Sequence, residues 1–280
     1  MKKIYLFPLV IVLLFVVQGA CKAQNSYIKY DYKGTLLTYE VNGDNLMVTR
    51  WNHTPANGVV EIPETILSEG HTYHITAIGP GCFYSNDSLT ALVLSPSVTS
   101  IGNAAFAYCT RLASIQFATG LKEIGSYAFK SCSSLEKVSL PSTVKVVGMG
   151  AFNDCSALNE IELPQDIENL LYQTFMGCSS LSSITIPHKV STLGAKSFSM
   201  CRRLEQISIP ESTILIKERS FFKCANLKQI YLPATPPAIE SESAFEEVDK
   251  AGCTLNVPVG SKKLYKDAEG WKEFGKIVEK

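Results

Sequence analysis

From Ile78 to about Pro237 the hydrophobic positions of the chain recur every 23 residues without an insertion. With the opening aliphatic residue of each unit counted as position 0, the units begin at Ile78, Ile101, Ile124, Val147, Leu170, Leu193, Ile216 and Ile239. Phenylalanine stands at position 5 in seven units, from Phe83 to Phe221, and leucine at position 11 in the same seven, from Leu89 to Leu227. Position 8 holds Cys109, Cys132, Cys155, Cys178, Cys201 and Cys224, with Asn86 in that place in the first unit. Aliphatic residues such as Val138 and Ile161 occupy position 14, apolar residues such as Leu140 and Ile186 occupy position 16, and proline closes most units.

Two periods are nested in each unit. The stretch Leu-x-x-Ile-x-Leu-Pro, as in Leu135 to Pro141, ends in an alternation that predicts a short strand with one buried face, stopped by proline. The other half places apolar residues at positions 0, 4, 5, 8 and 11. That spacing of three to four predicts a short helix or helical turn. Glycine follows the opening aliphatic residue in five of the eight units and eases the bend into that turn. A single unit cannot cover its own apolar stripe. Stacked neighbours can, so equivalent residues are expected to form ladders of Phe, Cys, Leu and Ile through a common core.

The flanks lie outside the period. Residues 24–77 read as a β-rich region, with strand-like runs at Tyr27 to Tyr32, Leu36 to Val41 and Leu46 to Trp51 and a hairpin signal at Asn42-Gly43. Val59 to Pro63 repeats the strand-then-proline phrase as a degenerate first coil. Beyond the repeats, Cys253 to Pro258 supplies a last strand. Ser261 then stands as the N-cap of a helix whose apolar positions are Leu264, Ala268, Trp271, Phe274 and Ile277. Both flanks are expected to cap the open ends of the apolar stack, as solenoids require for solubility.

The unit Ile-Gly-x-x-Ala-Phe-x-x-Cys-x-x-Leu-x-x-Ile-x-Leu-Pro, matched almost position by position by residues 124–141, resembles the BspA-like leucine-rich repeat family of bacterial surface proteins. The resemblance implies an α/β solenoid over residues 78–258, a right-handed coil of short strands and short helical turns. It also implies a secreted or surface-exposed adhesion protein. Unit five departs from the pattern at Leu171 and Thr174, and unit seven at Lys217 and Ser220, which singles out their turns.

At the start, Lys2 and Lys3 precede an apolar run from Ile4 to Val17 and the small residues Gly19 and Ala20, the layout of a secretory signal over residues 1–23. Cys21 after Gly19-Ala20 looks like a bacterial lipobox and would carry a lipid; cleavage after Ala23 is the competing reading. The chain has 26 basic and 26 acidic residues, and losing Lys2, Lys3 and, with the later cleavage, Lys22 leaves a net charge of −2 or −3. No cluster of Lys and Arg suits a phosphate backbone, so nucleic acid is not an expected partner.

Nine cysteines in an exported chain would suggest disulfides. Thiols stacked one coil apart, at about 4.8 Å, miss the Cβ separation of about 3.8 Å that a disulfide prefers. They do not converge on a tetrahedral centre either, so they read as core fillers, and neither metal nor cofactor is expected. For catalysis, His53, His71, His74 and His188 are scattered. The best carboxylate pair, Glu160 and Glu162, shares one strand face without a pocket to split its pKa values. Positions 13 and 15 face away from the core and give the candidate binding surface: Gln116, Lys137, Ser139, Glu160, Glu162, Thr185, Gln206, Gln229 and Tyr231. Such a shallow polar sheet suits a protein or glycoprotein partner of a monomeric, non-catalytic scaffold. A carbohydrate-binding accessory protein of the envelope is the alternative.

Overall fold

Alternation at positions 13 to 15 does form strands, because the middle residue of each turns inward: Ser114–Gln116, Lys137–Ser139, Glu160–Glu162, Ser183–Thr185, Gln206–Ser208 and Gln229–Tyr231. The structure, a computed structural model, describes residues 27–280. The expected secretory leader, residues 1–23, and the lipid site expected at Cys21 lie outside the described residues. About nine turns of roughly 23 residues stack into a leucine-rich-repeat solenoid made mostly of strands. Equivalent residues meet in parallel register, as in Val138 opposite Ile161 and Ile207 opposite Ile230.

A second ladder runs through positions 22 and 0, in two-residue strands such as Glu123–Ile124 and Thr192–Leu193. The hydrophobic pattern does not announce it, since only one of its two residues is apolar in every coil: position 22 varies from Glu123 and Asn169 to Val146 and Leu215. Glycine at position 1 lets neighbouring coils approach there. A Cβ on Gly148 would lie 2.4 Å from Ser126 N. This ladder is interrupted between Val146–Val147 and Asn169–Leu170, where Leu171 replaces glycine. Lys217 has the same change but keeps its bond to Leu193 O at 3.0 Å, so a side chain at this position is not sufficient to break the ladder. The first ladder is interrupted beside Ser114–Gln116, where the bulky Phe117 packs edge-on against Phe129 at 5.8 Å. Nothing in the structure explains its second interruption, after Glu160–Glu162.

The expected helical turns do not form. Positions 3 and 7 adopt left-handed backbone in the first seven units, as in Tyr127 (φ 57°) and Ser131 (φ 56°), and this stops a helix from propagating. Most of these residues are not glycine, so each left-handed residue costs about 1–2 kcal/mol. The return is a third set of bonds between coils. Tyr127 N donates to Met149 O (2.8 Å), Phe129 N to Ala151 O (2.9 Å) and Ser131 N to Asn153 O (2.7 Å), and the same three bonds recur along the stack. These bonds alternate with turn bonds inside the coil, such as Ala128 N to Gly125 O (3.3 Å) and Lys130 N to Tyr127 O (3.1 Å), and the two sets together replace the bonding a helix would have supplied.

The core is the predicted set of columns. Phenylalanine rings from Phe83 to Phe221 stack face to face, with centroids 5.1–5.9 Å apart. Phe245, displaced by one residue in the sequence, still joins them at 5.1 Å from Phe221.

Cysteine has a role beyond filling space. Each position-8 thiol donates to the position-5 carbonyl of the preceding coil, as in Cys155 Sγ to Phe129 O at 3.1 Å and Cys178 Sγ to Phe152 O at 3.2 Å. The first unit has no phenylalanine coil before it. Its Asn86 instead reaches back to Thr54 Oγ1 at 2.9 Å. All eight described cysteines are free thiols, Cys82 and Cys253 included, and all are buried. Burial pushes the Cys155 and Cys224 thiols up to about 12, so they stay protonated and unreactive. Cys155→Ala is expected to lower the unfolding free energy in urea by about 1–2 kcal/mol. Cys155→Ser, whose buried hydroxyl is dearer to desolvate, is expected to lose at least as much.

At the departures in units five and seven a hydroxyl stands where alanine is usual, and it is satisfied locally. Thr174 Oγ1 donates to Leu171 O at 2.9 Å, and Ser220 Oγ to Lys217 O at 2.7 Å. On the turn that follows the strand, Lys145 and Lys189 bracket Asp166, the latter at 2.6 Å, and hold its carboxyl down to about 2. A depressed carboxyl stabilises the fold above the ordinary Asp range, and the effect is lost as pH falls through about 2. Asp166→Asn is therefore expected to flatten acid unfolding between about pH 4 and that point. Added salt should shrink the difference, because the pair is exposed.

The flanking regions join the same ladders. Tyr27–Tyr32, Thr35–Asn42 and Asn45–His53 form an antiparallel meander whose second turn is Gly43-Asp44. Asn45–His53 and then His71–Ile78 lead in parallel into the second ladder. Val59–Ile62 pairs with Ala91–Leu94 as the degenerate first strand. At the other end the predicted helix is mostly absent: α-helix covers only Lys262–Asp267. Ser261 is buried in helical backbone and makes no side-chain cap bond. Glu279 Oε1 caps the helix instead, accepting from Gly260 N (2.9 Å) and Lys262 N (3.1 Å). Trp271 and Phe274 come from turns, and Lys276–Glu279 adds a parallel strand to Thr254–Val257. The helix stops where Ala268 turns to extended backbone (φ −81°, ψ 131°), and Gly270 follows at φ 76°.

Candidate interaction surfaces

The strand face presents the side chains that the alternation assigns to it. Gln116, Lys137, Ser139, Glu160, Glu162, Thr185 and Gln206 are exposed, in register, on adjacent coils. Lys137 pairs with Glu160 across one coil step at 2.8 Å, and Ser139 Oγ donates to Glu162 at 2.6 Å. Gln229 and Tyr231 point the same way but are half-buried by the C-terminal segment. Asn256 Nδ2 donates to Gln229 Oε1 at 2.7 Å, and Lys280 Nζ lies 5.3 Å from the Tyr231 ring. The result is a shallow polar sheet with a few fixed charge pairs.

Chemistry finds little purchase on it. Glu160 and Glu162 are exposed and already engaged with Lys137 and Ser139. His188 is an exposed turn residue beside Gln165 (3.2 Å), and His71 pairs with Asp44 at 3.0 Å at the far end of the molecule. Among the described residues no three His, Cys, Asp or Glu side chains are grouped to hold a metal ion. None of the described helices is long and apolar enough to cross a membrane.

The opposite, turn-lined face was passed over by the sequence reading. Positions 2, 3, 6 and 7 are outside the hydrophobic pattern and look like generic turn residues. Each of the first seven coils nevertheless sets at least one large aromatic or methionine there: Tyr84, Tyr108, Tyr127, Met149, Tyr172, Met200 and Phe222. Tyr84 and Tyr108 meet edge to face at 5.4 Å. Lys130 Nζ lies between two rings, 5.5 Å from Tyr108 and 5.7 Å from Tyr127. Lys196 covers Tyr172 at 5.6 Å, and Lys223 covers Phe222 at 4.9 Å. The left-handed backbone at positions 3 and 7 turns these side chains outward, which no linear period reveals.

The repeat geometry is matched by a known family. The BspA type leucine rich repeat region recurs in six copies over residues 76–201 and 122–251. The chain belongs to the BspA-type leucine-rich repeat family. Among solved structures, this BspA-type chain is similar to a leucine-rich repeat protein from Bacteroides ovatus, at 22% identity and a TM-score of 0.55 over 81% of this chain and 71% of that one. It is also similar to a leucine rich cell surface protein from Faecalibacterium prausnitzii, at 21% identity and a TM-score of 0.52 over 83% of both chains. A T. pallidum leucine rich repeat protein shares 30% identity over 60% of this chain and 87% of its own, with a TM-score of 0.48. No curated protein matches. At these identities the solved structures speak to the fold alone, and the family is carried by the repeat.

Proposed function

We propose that this BspA-type chain is an exported, non-catalytic scaffold that binds a protein or glycoprotein outside the cell through its strand face. The observation that supports this most is the open, in-register sheet of Ser, Thr, Gln, Lys and Glu side chains, which offers area and charge pattern without a closed pocket. Extended sheets of this kind favour macromolecules, because affinity accumulates over many coils. The leader sequence supports export, and Cys21, if lipidated, would hold the protein at a membrane surface as a monomer on a tether. Proteins of this repeat type are typically displayed on the cell surface or secreted, in keeping with that reading.

The test is binding to a panel of purified extracellular-matrix and bacterial surface proteins by the mature chain and by a triple variant, Lys137→Glu, Glu160→Lys and Glu162→Lys. Binding of a panel member by the mature chain, and its loss in the triple variant with unchanged thermal unfolding, is the expected result. Binding indifferent to the triple variant would move the site off this face. Incorporation of labelled palmitate, lost in Cys21→Ala, is the expected outcome for anchoring.

A further inference from the structure

A second surface lies on the turn-lined side of the first three coils, away from the strand face. Its centre is Lys130, held 5.5 Å from the Tyr108 ring and 5.7 Å from the Tyr127 ring. Lys130 makes no ion pair, although nine ion pairs occur among the described residues. Around it, positions 2, 3, 6 and 7 of these three coils hold no other charged residue, and Asp154, exposed at position 7 of the next coil, makes no ion pair with it. A cation kept between aromatic rings and bound to no carboxylate has hydrogen-bond donors to spare for an incoming anion.

The rings around it are displayed and fixed. Tyr84 is 51% exposed and Tyr108 37%, and they meet at 5.4 Å. Tyr127 lies flat on the next coil because Gly150 leaves it room: a Cβ there would come within 2.3 Å of the ring. Three tyrosines on three successive coils therefore form an amphipathic aromatic platform with hydroxyl rims, in which the Tyr84 and Tyr108 rings stand edge to face at 64°. A contiguous exposed aromatic patch of this kind marks a binding surface more often than chance.

We propose that this platform binds an acidic polysaccharide, with pyranose rings packed on Tyr84, Tyr108 and Tyr127 and a carboxylate or sulfate on Lys130. Three features favour this occupant. The C–H faces of a pyranose are flat and electropositive and suit tyrosine π faces. One coil step, about 4.8 Å, is close to the length of one sugar unit in an extended chain, so successive sugars can meet successive coils. The charge held between the rings is positive and unpaired. An acidic peptide would satisfy Lys130 but leave the ring faces without a flat partner. This inference does not depend on the strand face, and its test keeps the two apart.

Isothermal titration of the mature chain with oligogalacturonate at low salt is expected to show binding. Tyr108→Ala and Lys130→Gln are each expected to weaken it at least about tenfold, the order of one lost charged or stacking contact. Both residues are on the surface, and unchanged thermal unfolding shows that the variants fold. Methyl-esterified oligogalacturonate should bind as poorly to the intact chain as the acid binds to Lys130→Gln, and Lys137→Gln on the strand face should leave binding unchanged. The proposal is overturned if neither oligogalacturonate nor dextran sulfate binds, or if affinity survives Tyr108→Ala. Equal affinity for poly-glutamate, or loss of binding in Lys137→Gln, also overturns it.

Discussion

Phe152→Ala is expected to lower the unfolding free energy by about 3–5 kcal/mol, the usual cost of deleting a fully buried aromatic side chain. Its ring stacks 5.6 Å from Phe129 on one side and 5.9 Å from Phe175 on the other, with no exposure to solvent. The cavity cannot collapse easily. Each coil is tied to its neighbours by backbone bonds at positions 3, 5 and 7, including Phe152 N to Thr174 O at 3.0 Å, so the coils are held at their spacing while the space between them empties. Because solenoid stability is carried by interfaces between neighbours, losing two ring contacts at one coil should also reduce cooperativity. Urea unfolding followed by circular dichroism should show a lower midpoint and a shallower slope for Phe152→Ala. A loss of less than about 1 kcal/mol would mean that the column contributes little beyond filling space.

Trp271→Ala should destabilise by a similar amount, but at one end. Trp271 is fully buried, packs 5.4 Å from Phe245 at the end of the phenylalanine column, and donates from Nε1 to Pro237 O at 2.8 Å. Tyr265, 5.6 Å away, donates its hydroxyl to Pro233 O at 2.8 Å, so two aromatic side chains bond the carbonyls of the last full unit. Removing the indole uncovers Phe245 and leaves the Pro237 carbonyl without its partner, which together are expected to cost about 3–5 kcal/mol. The damage should stay local, since a stack transmits stability only between neighbours. Limited proteolysis of Trp271→Ala is expected to trim the chain from about residue 239 onward while leaving the earlier coils intact. Cleavage spread evenly over the chain would contradict this.

What the sequence made legible divides along physical lines. Burial leaves a mark on composition, so the columns of Phe, Cys and Leu, the inward residues of the strands and the exposed strand face could all be read from the 23-residue period. Hydrogen bonding between coils leaves almost none. The two-residue ladder at Glu123–Ile124 and its equivalents rests on backbone approach, marked only by glycine at position 1. Spacing of three to four residues suggested helical turns because it reports which side chains share a face, and a pair of turns with left-handed residues at positions 3 and 7 satisfies the same spacing. At the C-terminus the amphipathic pattern from Leu264 to Ile277 was read as one helix. Trp271 and Phe274 are indeed buried, but Gly270 and the strand Lys276–Glu279 deliver them by a different route, and Leu264 is exposed. The aromatic platform on the turn-lined face was invisible for a related reason: the direction of Tyr108 and Tyr127 depends on left-handed backbone that a period cannot encode.

The claim on which the rest depends is that the turn half of each unit is held by bonds from coil to coil and not by bonds within a helix. Measurement of scalar couplings across hydrogen bonds by NMR on the native protein tests it most directly. Couplings from the amides of Tyr127, Phe129 and Ser131 to the carbonyls of Met149, Ala151 and Asn153 on the next coil, recurring every 23 residues, are the predicted result. Couplings from these amides to the carbonyls four residues earlier in their own coil, the signature of a helix, would contradict the account.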